Sequence, residues 1–226
     1  MCTVTYLPLI NNDFVLTSSR DVPFSREKAL APKKYLEDGI ALLYPKDGKA
    51  GGTWIGASNK KRLICLLNGG FENHKQKDFY AKSRGVIVKD LLKTNEISKA
   101  CNAIDLKNIE PFTLVIVDWN FELKLIEFIW DGVHKHFKDL PQKAHIWSSS
   151  TLYSNKMKAM RMEWFSDWQK QNLIDKKAIL EFHHNAGVGN PKVDVIMKRP
   201  KVGTVSITQV SKNEEEVIMN YEEISH

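Results

Sequence analysis

The chain has 226 residues, 42% hydrophobic and 10% aromatic, which excludes a disordered protein and predicts one compact domain over residues 1–226. The net charge is +6, but 33 basic and 27 acidic residues are mixed along the chain, which excludes the dense basic stripe of a nucleic-acid-binding protein. Three cysteines without paired spacing argue for reduced thiols, and the sequence shows no signal peptide or long apolar segment. We therefore expect a soluble, cytoplasmic protein with no membrane insertion.

The first half of the chain is predicted to form short strands separated by turn residues. These strands cover residues 2–10, 14–20, 39–44, 53–57 and 63–68. The apolar spacing then becomes helical over residues 85–104.

The second half repeats this change of pattern. Strands are predicted at 112–118, 123–130 and 144–149, helices over 153–184, and strands again at 202–210 and 216–221. This order predicts an α+β fold in which two antiparallel sheets pack face to face with helices on both outer faces.

Cys2 is the most informative residue of the sequence. Methionine is normally removed when the next residue is small, which would leave a thiol and a free α-amine on Cys2. The amine has an ordinary pKa of about 7.7–8.0, so it can accept the thiol proton and later return it to a leaving group. The sequence therefore predicts an N-terminal nucleophile that needs no catalytic histidine.

A hairpin would bring two charged residues to this nucleophile. If Asn11 and Asn12 form a two-residue loop, Cys2 faces Asp21 and Thr3 faces Arg20. The guanidinium would lower the thiol pKa, and the carboxylate would hold the α-ammonium group.

Four segments together resemble a known family. They are Met-Cys-Thr-Val-Thr-Tyr at the N-terminus, Phe-Val-Leu-Thr-Ser-Ser-Arg-Asp at 14–21, Gly-Gly-Thr-Trp-Ile-Gly at 51–56 and Leu-Leu-Asn-Gly at 66–69. In this order the chain resembles the NRDE family, which includes the transport and Golgi organisation proteins and is related to choloylglycine hydrolases and penicillin V acylases.

The resemblance implies the four-layer αββα sandwich of the N-terminal-nucleophile (Ntn) hydrolases, acting on a linear amide of a small acylated metabolite. It implies catalytic roles for Cys2, Arg20 and Asp21, and makes Asn68 a candidate oxyanion donor, since its side-chain amide supplies an N–H group. Ser149 corresponds to a substrate-side position of that family. We expect Trp54 and Phe71 to line an apolar acyl pocket.

Several positions depart from the family pattern. The Asn-Arg-Asp-Glu signature reads Ser-Arg-Asp-Val at 19–22, Ser149 replaces an asparagine, and the arginine expected near 204–206 is absent. An incomplete oxyanion hole lowers catalytic power by about 10²–10³-fold per lost donor. The alternative is therefore a weak or inactive binding or trafficking module for haem or a lipid-like ligand.

The remaining histidines and cysteines carry no predicted chemistry. Two pairs of histidines, His134 with His136 and His183 with His184, invite a metal site. Neither pair is accompanied by a cluster of Asp, Glu or Cys, so these histidines are interpreted as surface residues, and we expect no metal and no cofactor. Cys65 and Cys101 are interpreted as buried thiols. The expected partner is a small-molecule amide or an apolar ligand, and the sequence leaves the oligomeric state open.

Overall fold

The computed structural model describes residues 3–171 and 173–225, so Cys2 lies outside the described residues. The chain forms two compact units, one made of the residues up to Arg26 and from Lys143 onward, the other of Glu27–Gln142. Within the described ranges there are twelve strands and four α-helices. In chain order they are β1 (Thr3–Pro8), β2 (Phe14–Pro23), β3 (Leu30–Glu37), β4 (Ile40–Lys46), β5 (Ile55–Ser58), β6 (Arg62–Asn68), α1 (Arg84–Leu92), α2 (Ile97–Ala103), β7 (Phe112–Asp118), β8 (Lys124–Trp130), β9 (Lys135–Leu140), β10 (His145–Ser148), α3 (Asn155–Gln171), α4 (Lys176–Asn185), β11 (Val202–Asn213) and β12 (Glu216–Glu223).

The first unit is built on a five-stranded antiparallel sheet with the strand order β10-β1-β2-β11-β12. Helices α3 and α4 pack on one face of this sheet, and the apolar contact is made by Leu7, Val15, Phe165, Ile179, Phe182 and Val195. Asp175 caps the N-terminus of α4, since its side chain accepts the backbone N–H groups of Lys177 and Ala178. The sheet and its helices therefore hold the N-terminal strand in a central position.

The second unit is built on a seven-stranded antiparallel sheet with the order β3-β4-β5-β6-β7-β8-β9. Helices α1 and α2 pack on it through a large apolar cluster that includes Ile64, Leu92, Phe112, Leu114 and Phe128. Strand β7 is buried over its whole length, which explains its nearly continuous apolar sequence, and β8 is buried except at Lys124 and Glu127.

The glycines of the segment 51–56 allow α1 to approach the sheet closely. A Cβ atom on Gly52 would lie 2.6 Å from the carbonyl carbon of Gly85, and one on Gly56 would lie 2.8 Å from a methyl carbon of Leu92. Only glycine avoids these contacts, so both positions have an architectural role.

The structure confirms the α+β class and the two antiparallel sheets. Most predicted strands and helices lie within a few residues of their predicted bounds, and β7 has the predicted bounds Phe112–Asp118. Strands β3 and β9, which are the two edge strands of the seven-stranded sheet, were not predicted. Both are largely exposed and rich in lysine, as edge strands often are, so they lack an apolar pattern.

The predicted register of the N-terminal hairpin is wrong by one residue. Thr3 pairs with Ser19 rather than with Arg20, and the last pair before the turn is Pro8 with Phe14. The connection contains a short 3-10 helix at Ile10–Asn12, with positive φ at Asn11 and Asn12, instead of a two-residue loop. The longer turn shifts the whole pairing, because register follows loop length.

No helix in the described ranges 3–171 and 173–225 combines the length and apolar character needed to cross a bilayer.

Candidate active site

Arg20 and Asp21 lie near the end of β2, in the middle of the five-stranded sheet. Their exposed fractions are only 3% and 1%. Because side chains alternate along a strand, they point to opposite faces of the sheet. A buried charge is costly unless it is compensated, so two adjacent buried charged residues mark an unusual position.

Asp21 is held by hydroxyl groups on the helix side of the sheet. Thr204 Oγ1 donates a hydrogen bond to Asp21 Oδ1 at 2.6 Å, and the hydroxyl of Tyr153 donates to Asp21 Oδ2. Tyr153 is itself buried in the segment that precedes α3. Two hydroxyl donors fix the orientation of this carboxylate and partly compensate its burial.

A β-bulge in β11 lies opposite the charged pair. Thr204 pairs with Asp21 and Ser206 pairs with Arg20, so the register shifts between these positions. A bulge redirects a side chain locally, and bulges are frequent next to active sites. Here the irregularity lets Thr204 bind Asp21 while Ser206 stays directly across from Arg20.

Arg161 of α3 is completely buried next to the N-terminal strand. Its Nη1 donates to Thr3 Oγ1 at 2.5 Å, and its Nη2 donates to the carbonyl oxygens of Val193 and Asp194 at 3.1 and 2.7 Å. The guanidinium carbon lies 3.6 Å from the ring centroid of Tyr153, close enough for a cation–π interaction. Arg161 therefore contacts both Thr3 and the residue that donates to Asp21.

His183 of α4 lies beneath β1 and β2, and its interpretation as a surface residue is wrong. It is fully buried, with Ser19 Oγ 2.7 Å from Nδ1 and Thr5 Oγ1 2.8 Å from Nε2. Burial, reinforced by the positive charge of Arg161, lowers the pKa of His183 to about 3, so the ring is neutral at ordinary pH. The helical spacing of Ile179, Phe182 and His183 places the imidazole on the apolar face of α4.

Cys2 lies outside the described residues, but its peptide bond to Thr3 fixes the two Cα atoms about 3.8 Å apart. Thr3 pairs with Ser19 on one side and with Ser148 on the other. The next residues of those two segments are Arg20 and Ser149. Ser149 is buried, and its hydroxyl lies 3.0 Å from that of Thr151.

The other three predicted site residues belong to the seven-stranded unit. Asn68 is the last residue of β6, pairs with Phe112 and is followed by Gly69 with φ of 83°. Trp54 is buried just before β5, whereas Phe71 is 53% exposed and meets the imidazole of His136 edge to face at 4.9 Å. Their assigned roles stay predictions.

No group of three or more His, Cys, Asp or Glu side chains suited to a metal ion occurs in the described part of the chain. His136 instead binds Asp131, with 2.7 Å between Nε2 and Oδ2. Together with two backbone N–H donors, this contact lowers the pKa of Asp131 to about 2 against the opposing effect of desolvation.

Four residues of this region were not predicted as site residues, namely Tyr153, Arg161, His183 and Thr204. For two of them, the helical spacing in the sequence could have indicated that they are buried. Arg161 precedes buried Phe165 by one helical turn, and His183 follows Phe182 on the buried face of α4. For Tyr153 and Thr204 the sequence carried no comparable pattern, because they meet Asp21 only through the fold.

Comparisons with known proteins agree with this fold. The family profile described as "Transport and Golgi organisation 2" matches residues 1–217. The amino-acid sequence has no significant match among curated proteins.

Solved structures of Ntn hydrolases share the architecture. An N-acylethanolamine-hydrolyzing acid amidase ortholog from Caenorhabditis elegans is 12% identical, with a TM-score of 0.61 over 92% of this chain and 92% of that chain. One variant of conjugated bile acid hydrolase from Clostridium perfringens is 11% identical, with a TM-score of 0.56 over 98% of this chain and 92% of that chain. Another is 12% identical, with a TM-score of 0.54 over 99% and 92%. At these identities, the similarity establishes the fold alone.

Proposed function

Because the chain belongs to the Transport and Golgi organisation 2 family and has the Ntn-hydrolase fold, we propose that it is a cysteine amidohydrolase with Cys2 as nucleophile. The observation that carries this proposal is the buried Arg20–Asp21 pair beside the N-terminal strand, with Asp21 fixed by Tyr153 and Thr204. The proposal treats residues 1–226 as one functional domain. Free thiols at Cys65 and Cys101 support a reducing compartment such as the cytoplasm.

The proposed reaction cleaves a linear amide in two steps. The α-amine of Cys2 accepts the thiol proton, and the thiolate attacks the carbonyl carbon to form a tetrahedral intermediate. The C–N bond breaks as the ammonium returns the proton to the leaving nitrogen, which leaves a thioester on Cys2. Water, deprotonated by the amine, then attacks the thioester and releases the acid and the free thiol.

The surrounding residues have distinct roles in this proposal. The Arg20 guanidinium stabilises the thiolate, which would lower the thiol pKa, and the Asp21 carboxylate orients the α-ammonium group. Asn68 supplies an N–H donor to the tetrahedral oxyanion. Ser149 contacts the substrate.

The proposed substrate has an apolar acyl group. Trp54 and Phe71 are the aromatic side chains assigned to the acyl pocket. N-acylethanolamines, on which the amidase with the similar fold acts according to its name, are a reasonable first class of probe. Conjugated bile acids form a second class for the same reason.

One observation favours the alternative, a binding module for haem or a lipid-like ligand. Ser149 stands where the family pattern has an asparagine, and Thr204 lies in the segment 204–206 near which an arginine is expected. The Ser149 hydroxyl contacts Thr151 and the Thr204 hydroxyl binds Asp21, so both hydroxyls are engaged within the protein. A shortage of oxyanion donors would slow turnover without preventing binding.

The test begins with an intact mass, which shows whether Met1 has been removed. The purified protein is then incubated with N-acylethanolamines, N-acyl amino acids and conjugated bile acids, and the released acid is measured. Cys2→Ala is expected to abolish release, while Cys101→Ala retains it, because burial raises the pKa of the Cys101 thiol to about 12 and keeps it protonated. Inserting one alanine between Met1 and Cys2 keeps the thiol but removes its α-amine, so this variant should also be inactive.

Retention of Met1, or turnover by Cys2→Ala equal to that of the unaltered chain, would refute the amidohydrolase. Hemin titration of both proteins then tests the alternative. A shift of the Soret band that is lost in Cys2→Ala would support haem binding through this thiol.

A further inference from the structure

Arg161 is unusual because its buried charge has no acidic partner among the residues that the structure describes. Its exposed fraction is 0%, yet no carboxylate of the described residues forms an ion pair with it. It contacts a hydroxyl, two backbone carbonyls and an aromatic face, and its Nε has no hydrogen-bond partner within the described ranges. Burying a guanidinium in this way costs free energy that an apolar side chain would not.

The contacts of Arg161 point toward the N-terminus of β1. Nη1 binds the hydroxyl of Thr3, the residue covalently joined to Cys2. Nη2 binds two carbonyl oxygens of the 193–194 segment, which anchors the planar guanidinium at a second point. A planar fork held at two points positions its acceptor more rigidly than a lysine ammonium would.

A second contact links the same guanidinium to Asp21. The Tyr153 ring lies 3.6 Å from the guanidinium carbon, and its hydroxyl donates to Asp21. A cation over the ring holds Tyr153 in the orientation that this hydrogen bond requires. One buried side chain thus contacts the neighbour of Cys2 on one side and the donor to Asp21 on the other.

We infer that Arg161 is a positioning residue, which fixes Thr3 and Tyr153 so that Cys2 and Asp21 keep the geometry needed for thiolate formation. This inference rests on the proposed function, since it assigns Cys2 as the nucleophile. Arg161 touches neither the substrate nor the reacting atoms in this scheme. Its effect is transmitted through a hydroxyl and a ring.

The experiment measures how fast limiting iodoacetamide alkylates Cys2, as a function of pH, with peptide mapping to distinguish the three cysteines. Arg161→Lys keeps the charge but not the fork, and Thr3→Val removes the acceptor hydroxyl with almost no change of shape. Each is expected to raise the Cys2 thiol pKa by about one unit and so slow alkylation at pH 6 about 10-fold. Thr3→Ser, which restores a hydroxyl, should recover most of the rate.

Arg62→Lys is the matched control. Arg62 is also almost completely buried and also donates to backbone carbonyls, but it belongs to the seven-stranded unit and pairs with Asp118. This variant should lose stability while Cys2 alkylation changes by less than about 2-fold. If Arg161 had a purely structural role, Arg161→Lys would likewise lower stability and leave Cys2 alkylation nearly unchanged.

The outcomes separate this inference from the proposed function. If Cys2 of the unaltered chain reacts no faster than Cys65 and Cys101, the nucleophile assignment is refuted and the role of Arg161 falls with it. If Cys2 is hyperreactive but Thr3→Val leaves its rate and pH profile unchanged, the positioning role alone is refuted. Thr3→Val decides the question even if Arg161→Lys does not fold.

Discussion

Two buried arginines, one in each unit, have their charge compensated in opposite ways. Arg62 in the seven-stranded unit is 1% exposed and forms an ion pair with Asp118, with Nη2 and Oδ2 2.6 Å apart, and it also bonds the carbonyls of Leu91 and Thr94 at the end of α1. Arg161 in the five-stranded unit is just as buried, but its hydrogen-bond partners in the described part of the chain are all neutral.

This difference extends to the surroundings of each arginine. The helix-covered face of the seven-stranded sheet forms a continuous apolar cluster, whereas β1, β2 and β11 bury threonines, serines and the Arg20–Asp21 pair. An apolar interior is the less costly arrangement, so the polar interior of the five-stranded unit is explained better by function than by stability.

The largest expected effect tests the structural arginine. Arg62→Leu leaves Asp118 without its ion pair, and should reduce the free energy of unfolding by about 3–5 kcal/mol. Denaturant titration measures this loss. Alkylation of Cys2 in the folded variant should be unchanged, and a parallel loss of alkylation would contradict the different roles assigned to Arg62 and Arg161.

Asp21→Asn tests the polar interior directly. The amide replaces a charged acceptor of the Tyr153 and Thr204 hydroxyls with a neutral group that carries two donor hydrogens. We expect a loss of about 2–3 kcal/mol in the free energy of unfolding and a fall in Cys2 alkylation at pH 6. Asp118→Asn is the matched substitution in the other unit, and it should lower stability without affecting alkylation.

His183 should make the stability of the chain depend on pH. Its pKa is about 3 in the folded state against about 6.5 when exposed, so below pH 6.5 the unfolded chain binds a proton that the folded chain does not. Stability from this group is therefore complete above pH 6.5 and is lost as pH falls toward 3, by about 2 kcal/mol between pH 7 and pH 5.

Denaturant titrations at pH 5, 6 and 7 measure this slope. His183→Gln removes the titrating group and should flatten the profile. His184→Gln serves as control, since His184 is only partly buried and contacts Glu222 at the surface. Equal slopes for the His183 variant and the unaltered chain would contradict a neutral buried imidazole.

The smallest expected effect concerns the helix that carries His183. Asp175→Ala removes the N-cap of α4 and should cost about 1 kcal/mol of unfolding free energy, whereas Asp175→Ser should retain most of it. Thermal denaturation resolves this difference. Because the cap lies at the opposite end of α4 from His183, Cys2 alkylation should remain unchanged.

Local sequence patterns were sufficient to predict the elements that consist largely of apolar residues. The nearly continuous apolar run of β7 predicted its bounds. The resemblance of the first seventy residues identified the family and the fold. Strands β3 and β9 could not be predicted from their sequence, because exposed edge strands need no apolar pattern.

The sequence by itself determined the fold class and the family, since these depend on residue types and their order, and it predicted Cys2, Arg20 and Asp21 as site residues. Only the tertiary structure decided the hairpin register, which follows the geometry of the 9–13 turn, and the contacts that His183 and Arg161 make. Whether a polar side chain is buried depends on what packs around it from distant segments, and Arg161 meets Thr3 across 158 positions of the chain. No local pattern encodes such a contact.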